Sequence, residues 1–130
     1  MPFRFENLAT WKLARVFTND CYRITKKFPK EEIFGLTNQL RRAAISIVSN
    51  IAEGSDRKSD VEFVRYLRIS LTSLNEVVTR LYIATDQQLI GAEAFGALYQ
   101  SANQLASKLN ALINSLAPRH PNHHTVVRSQ

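Results

Sequence analysis

Side chains that could perform catalysis or bind a metal are few in this sequence, and they lie far apart. The three histidines, His120, His123 and His124, all follow Pro118. Helical bundles that bind metals through carboxylates place Glu and His together on their helices, often as Glu-x-x-His. Because the segment before Pro118 contains no histidine, we predict no metal site and no cofactor.

Cys21, the only cysteine, is expected to be a buried apolar residue. It lies on the apolar side of a helical pattern, with no histidine near it in sequence to activate the thiol. A single cysteine also allows no internal disulfide and no thiolate cluster. The four glycines are isolated, so there is no glycine-rich phosphate loop. We therefore predict that the protein is not an enzyme.

Basic residues are the strongest chemical signal. The net charge is +6, which favours polyanionic partners. The candidate phosphate contacts are Arg41, Arg42, Arg57, Lys58, Lys26, Lys27 and Lys30. Because some fall in turns at opposite ends of the expected fold, one subunit need not present them as one continuous patch, and a ring of subunits could unite them. Such binding would depend on salt and select weakly for sequence. The alternative is a solvated basic surface without a ligand.

Polar residues also recur at helical spacing on two segments. Arg42, Ser46, Asn50 and Glu53 share one helical face, and Ser73, Glu76 and Arg80 share another. We predict a structural polar network at a helix interface that fixes register or subunit geometry, made of Ser46, Asn50, Glu53, Ser73 and Glu76. The alternative is a solvated stripe with an ordinary Glu76–Arg80 helical pair.

Four helices must position these residues. Apolar residues three and four apart predict a first helix over residues 8–27, stopped by Pro29. A second segment opens at Lys30, Glu31 and Glu32 and ends at Gly54, with Gly35 loosening its first turn. Ser59, followed by Glu62, predicts the capped start of a third helix of about 30 residues. Gly91 separates it from a fourth, which ends at Pro118.

Short connections make an all-α, antiparallel up-down-up-down four-helix bundle the expected fold. The bundle should span residues 1–117, with residues 118–130 as a flexible C-terminal tail. Extra apolar residues suggest oligomerisation, or instead a wide core face: Ile45, Val48 and Ala52 on helix two, and Phe63, Tyr66, Val77 and Ala84 on helix three.

Length and composition are those of one ordinary globular domain of 130 residues, 45% of them hydrophobic. No apolar run approaches the ~20 residues of a membrane helix, and no signal-peptide pattern opens the chain. We expect a cytoplasmic protein without a membrane association.

The sequence resembles the four-helix bundle proteins encoded by intervening sequences in bacterial large-subunit ribosomal RNA genes. The resemblance rests on residues 28–36 (Phe28-Pro29-x-x-Glu32-x-Phe34-Gly35-Leu36), on residues 39–47 (Gln39-Leu40-Arg41-Arg42-Ala43-Ala44-x-Ser46-Ile47), and on residues 50–54 (Asn50-Ile51-Ala52-Glu53-Gly54). It implies a homo-oligomer, a pentameric barrel of bundles, and similarity to the accessory variability protein of diversity-generating retroelements. That similarity implies nucleic acid and a reverse transcriptase as partners.

Two functions follow from these observations. The first is a non-catalytic, basic, oligomeric adaptor that binds RNA, DNA or a nucleic-acid enzyme. The second is a structural protein-interaction scaffold without a nucleic-acid role, in which uncharged polar residues of helix four pack between subunits: Gln100, Asn103, Gln104, Ser107, Asn110 and Asn114.

Overall fold

The computed structural model describes residues 2–117, which form four α-helices. They are α1 (Ala9–Thr25), α2 (Leu36–Ser55), α3 (Asp60–Asp86) and α4 (Ala92–Leu116). Short 3₁₀ helices precede α1 (Arg4–Asn7) and α2 (Lys30–Glu32). Each helix packs against the next, and α4 closes against α1. The predicted antiparallel four-helix bundle is confirmed, and the predicted tail lies outside the described residues.

Local sequence signals account for most helix boundaries. The Ser59 hydroxyl accepts a hydrogen bond from the backbone N–H of Glu62 at 3.2 Å, which caps α3 as predicted. Residues 30–32 do not begin α2, because Gly35 has a non-helical backbone (φ −111°, ψ −111°) and separates them from it. The prediction that the second helix opens at Lys30 was therefore wrong, and α2 starts at Leu36.

Gly54 lies one residue before the end of α2 at Ser55, close to the predicted helix stop, and it also has a packing role. A Cβ atom at Gly54 would lie 2.7 Å from the Cβ of Tyr66 and 2.9 Å from a ring carbon of Phe63. These distances are shorter than van der Waals contact, so the missing side chain lets α3 approach α2 closely.

The core contains the apolar residues that the spacing of the sequence selected. Val64, Leu67, Leu74 and Leu81 of α3 are all buried. The extra apolar residues divide into two groups. Val77 and Ala84 are fully buried and widen the core face, whereas Ile45 remains 44% exposed on α2.

Hydroxyl groups join the helices inside this core. Ser70 of α3 donates to the carbonyl oxygen of Ile47 in α2 at 2.8 Å. Thr18 of α1 donates to the carbonyl oxygen of Ala44 at 3.2 Å and to that of Ala14 in its own helix. Both hydroxyls are buried and satisfied, so they fix helix positions without a desolvation penalty.

Within residues 2–117, no helix combines the length and apolar content that crossing a membrane requires.

Candidate nucleic-acid interface

The bundle places the seven candidate phosphate contacts at both of its ends. Lys26, Lys27 and Lys30 lie where α1 gives way to α2, whereas Arg57 and Lys58 lie in the α2–α3 turn at the other end. The two groups therefore do not form one patch within a subunit. Arg41 and Arg57 are partly buried, and the other five are exposed.

Arg41 is engaged inside the fold. Its Nε donates to the Thr25 hydroxyl at 2.8 Å, and a terminal nitrogen reaches the Tyr22 carbonyl oxygen at 3.4 Å. The guanidinium also lies over the Tyr22 ring, 4.6 Å from its centroid. These contacts tie α2 to the C-terminal turn of α1 and engage two of the three guanidinium nitrogens, which leaves fewer donors for a phosphate.

Arg57 is held in a similar way at the opposite end. It donates to the Glu53 carboxylate at 2.7 Å and to the Glu53 carbonyl at 3.3 Å. Its guanidinium lies 5.4 Å from the Tyr66 ring centroid. A nucleic acid would have to compete with these contacts. The exposed side chains of Arg42 and Lys58 make no salt bridge within residues 2–117.

The predicted polar network divides into two parts. The structure brings together Ser46, Asn50 and Ser73: the two serine hydroxyls are 2.8 Å apart, and the Asn50 amide donates to Ser46 Oγ at 3.1 Å. Glu53 instead pairs with Arg57. Glu76 lies 3.9 Å from Arg80 on its own helix.

A basic stripe runs along the outer face of α1, opposite the buried Ala14, Phe17 and Cys21. We call it the α1 stripe, and its members are Lys12, Arg15, Asn19, Arg23 and Lys26. All five are exposed, and the spacing of three and four residues keeps them on one face. No carboxylate lies within the stripe, although Asp20 beside it pairs with Arg23 at 2.6 Å.

Lys12, Arg15 and Lys26 are the stripe's most available cations. They make no salt bridge within residues 2–117. The Arg15 guanidinium makes a cation–π contact, with its carbon 5.8 Å from the Trp11 ring centroid. The sequence interpretation missed Lys12, Arg15 and Arg23 as site residues. Reading the face opposite the apolar side of the first helix would have found them.

The part of the chain from Pro2 to Ala117 holds no cluster of His, Cys, Asp and Glu that could bind a metal. Burial, with a smaller contribution from the charge of Asp20, raises the pKa of Cys21 from 9.0 to about 12. The thiolate form is therefore negligible at neutral pH, and nucleophilic chemistry at this thiol is disfavoured. The three histidines lie outside the described residues.

Comparisons with known proteins agree with the helical fold. The family model for 23S rRNA-intervening sequence proteins matches residues 6–111, so the chain belongs to that family. The suspected resemblance to this family is confirmed. No protein with a curated description matches the chain.

A solved structure shows the same fold. It is the crystal structure of a protein with unknown function from the S23 ribosomal protein family of Bacteroides thetaiotaomicron VPI-5482. The two chains are 21% identical and superimpose with a TM-score of 0.75, over 81% of this chain and 98% of that one.

Proposed function

We propose that the protein is a non-catalytic adaptor that binds the phosphate backbone of RNA or DNA through the α1 stripe and works as a homo-oligomer. The observation that carries this proposal is a helix face with four exposed cations and no carboxylate, opposite the core. Exposed cations in a row attract phosphates without reading bases.

The dimensions of the stripe suit a nucleic-acid backbone. Lys12 and Lys26 are fourteen residues apart, or roughly 21 Å along a helix that rises about 1.5 Å per residue. A DNA strand places a phosphate about every 3.4 Å along the duplex axis, so the stripe spans about six phosphates. Since Asp20 partly neutralises Arg23, we expect about three effective phosphate contacts per subunit.

Assembly would multiply this modest contact. Three contacts give weak binding on their own, but linked subunits engage one strand with a higher effective concentration. The family resemblance implies a pentamer, and a nucleic-acid enzyme such as a reverse transcriptase as the protein partner. Arg42, Lys58, Lys27 and Lys30 serve in this proposal as flanking contacts. Arg41 and Arg57 contribute less because their donors are engaged.

The test neutralises the stripe and compares it with an equal loss of charge elsewhere. The stripe variant is Lys12→Gln/Arg15→Gln/Lys26→Gln, and the control is Arg65→Gln/Arg68→Gln/Lys108→Gln. Both lower the net charge from +6 by the same amount at exposed positions. Fluorescence anisotropy with labelled 20-mer RNA, DNA and duplex measures Kd from 50 to 200 mM salt.

We expect wild-type affinity to fall about 20- to 40-fold per subunit engaged across this salt range, from three contacts at a slope of 0.7–0.9 each. The stripe variant should lose most binding and most of the slope, while the control keeps both. Absence of wild-type binding at 50 mM salt would overturn the proposal. Equal losses of affinity in the two variants would also contradict the proposal, because they would show that the overall positive charge, and not the stripe, attracts the nucleic acid.

A protein-interaction scaffold is the second candidate function. Tyr82, Phe95 and Tyr99 form an aromatic cluster on α3 and α4, in which the Phe95 ring centroid lies 4.9 Å from that of Tyr82 and 5.9 Å from that of Tyr99. Tyr82 and Tyr99 are about half exposed, which suits a protein contact. The uncharged polar residues of α4 proposed for subunit packing are exposed as well. Light-scattering mass with and without the oligonucleotides separates the two functions.

A further inference from the structure

A polar recess opens between the N-terminal half of α2 and the C-terminal half of α3. We call it the Phe34 recess. Its volume is about 450 Å³, within the range of small-ligand sites. Its principal lining residues are Phe34, Asn38, Gln39, Arg42, Glu76 and Arg80. It lies at the same end of the bundle as Lys26 and Lys30, the end where the α1 stripe finishes.

Phe34 is the most exposed large apolar residue in the described chain, with 91% of its surface accessible. It lies in the turn between the Lys30–Glu32 3₁₀ helix and α2, so it contributes almost nothing to the core. Exposing an aromatic ring to water is unfavourable, and a flat π-surface beside charged groups suits a stacked planar ligand.

Two arginines, Arg42 and Arg80, outweigh the single Glu76 carboxylate in the lining and give the recess a net positive charge. Arg42 is exposed, and its guanidinium makes no salt bridge within residues 2–117. One terminal nitrogen of Arg80 donates to the Glu76 carbonyl oxygen at 3.3 Å and lies 3.9 Å from the Glu76 carboxylate. Arg42 therefore offers the recess its most available donors for a phosphate.

The remaining polar groups can both donate and accept. Asn38 and Gln39 are exposed carboxamides, each with donor and acceptor atoms. Ser46 also lines the recess, and its hydroxyl is held 2.8 Å from that of Ser73. The Ser46–Ser73 contact thus fixes the distance between α2 and α3 at this point. The polar groups of the recess therefore lie on two packed helices, and Phe34 lies in the turn that precedes α2.

We propose that the Phe34 recess binds one unpaired nucleobase together with its phosphate. The base stacks on the Phe34 ring, its edge meets the Asn38 and Gln39 amides, and an arginine contacts the phosphate. Proteins read unpaired bases with this combination of aromatic stacking and amide or guanidinium donors. The mostly polar lining disfavours an apolar protein segment as the occupant.

This inference rests on the proposed function and deepens it. The α1 stripe would bind the backbone of either single or double strands, whereas the recess requires an unpaired base. A base-paired duplex keeps its bases stacked and cannot place one on Phe34. The recess therefore predicts a preference for single strands or strand ends, which the stripe alone does not supply.

The first experiment compares Phe34→Ala with Ile33→Ala, a neighbouring exposed apolar residue that is not part of the recess. The probes are a labelled 12-mer RNA, the same strand with abasic positions, and its blunt duplex. We expect wild type and Ile33→Ala to prefer the single strand by about 5- to 140-fold, the range for one stacked base. Phe34→Ala should lose this preference and keep duplex binding unchanged.

The second experiment uses Phe34→Trp as a reporter. Stacking of a base should quench the introduced indole, after subtraction of the wild-type signal from Trp11. Titration with adenosine or guanosine monophosphate and with the 12-mer distinguishes a free nucleotide from a strand as the source of the base. Arg42→Gln in the same background should weaken either titration, because it removes a phosphate contact.

The outcomes separate the two proposals. If duplex binding depends on the stripe but the Phe34→Ala variant still prefers the single strand, the recess inference alone is overturned. If neutralising the stripe leaves duplex binding unchanged, the proposed function is overturned. The recess inference is also wrong if no nucleotide or strand quenches the indole. A change in the light-scattering mass of Phe34→Ala would likewise overturn it, because Phe34 would then belong to a subunit contact.

Discussion

The outer face of α1 and the contact between α2 and α3 both use polar side chains, but in different ways. On α1 the cations point to solvent, and Lys12, Arg15 and Lys26 make no salt bridge within the described residues. Between α2 and α3, the Ser70 hydroxyl bonds the Ile47 backbone, and Gly54 admits the rings of α3. One region is free to bind something else, and the other is already occupied by the fold.

This difference separates residues that can be changed for function from those that cannot. Exposed charges carry little folding energy, so stability should tolerate their loss. Close helix contacts depend on atoms of the right size and on satisfied hydrogen bonds. The following predictions test this division, beginning with the largest effect.

The Cys21 thiol on the inner face of α1 should be protected from reagents, in contrast to the exposed cations on the outer face. Cys21 is fully buried, so a thiol reagent can reach it only through opening of the fold. We expect labelling at pH 8 to be about 1,000-fold slower or more than in denaturant, given ordinary domain stability. The rate of labelling is measured by mass spectrometry of samples quenched at intervals after the addition of iodoacetamide. Rapid modification of the folded protein would contradict the packing of α1.

The same thiol predicts a pH effect with a definite sign. Burial raises the pKa of Cys21 to about 12, so from pH 9 upwards the unfolded chain loses a proton that the folded chain keeps. The free energy of unfolding should therefore fall as pH rises through this window, by about 1 kcal/mol per unit. Urea titrations at pH 8 and pH 10 should show a smaller fall for Cys21→Ala than for wild type.

Gly54→Ala tests the close approach of α2 and α3. Alanine is the better helix former, but its Cβ would meet Tyr66 and Phe63 below 3.0 Å. We expect a net loss of about 1–3 kcal/mol in the free energy of unfolding. Gly96→Ala is the matched control, since a Cβ there meets nothing within 4 Å, and it should gain about 0.5–1 kcal/mol. Stabilisation by both variants would disprove the close contact.

Arg41 and Lys26 lie at the same end of the bundle, and substituting them should separate structure from binding. Arg41→Ala removes the hydrogen bond to Thr25 and the contact with the Tyr22 ring. It should cost about 1–2 kcal/mol of stability. Lys26→Ala should leave stability unchanged within about 0.5 kcal/mol and weaken oligonucleotide binding. The reverse pattern would return Arg41 to the binding surface.

Ser70→Ala gives the smallest effect. It removes the hydroxyl that bonds the Ile47 carbonyl across the helix contact, and we expect a loss of about 1 kcal/mol by urea denaturation. Thr72→Ala is the control, because the Thr72 hydroxyl is exposed and bonds Arg68 of its own helix. Equal losses of stability in the two variants would show that the hydrogen bond between helices contributes no more than one within a single helix.

Particular residues show how far the sequence could be interpreted. Periodicity and the Ser59 cap were sufficient for the fold and for the start of α3, because capping and burial patterns are local. Gly54 predicts a nearby helix end because glycine is common there, whereas its close contact with α3 joins residues on two helices and has no local signal. The charge of Arg41 is evident from the sequence, whereas its partners Thr25 and Tyr22 on α1 are not.

The candidate site shows the same boundary. The sequence by itself determined the helices, their apolar faces, the excess of positive charge and the family pattern, since each depends on residue type and short spacing. Only the tertiary structure decided which cations remain available, which serines meet across helices, and that Phe34 and Arg80 border one recess. These depend on contacts between residues distant in sequence, and a single chain's spacing carries no information about them.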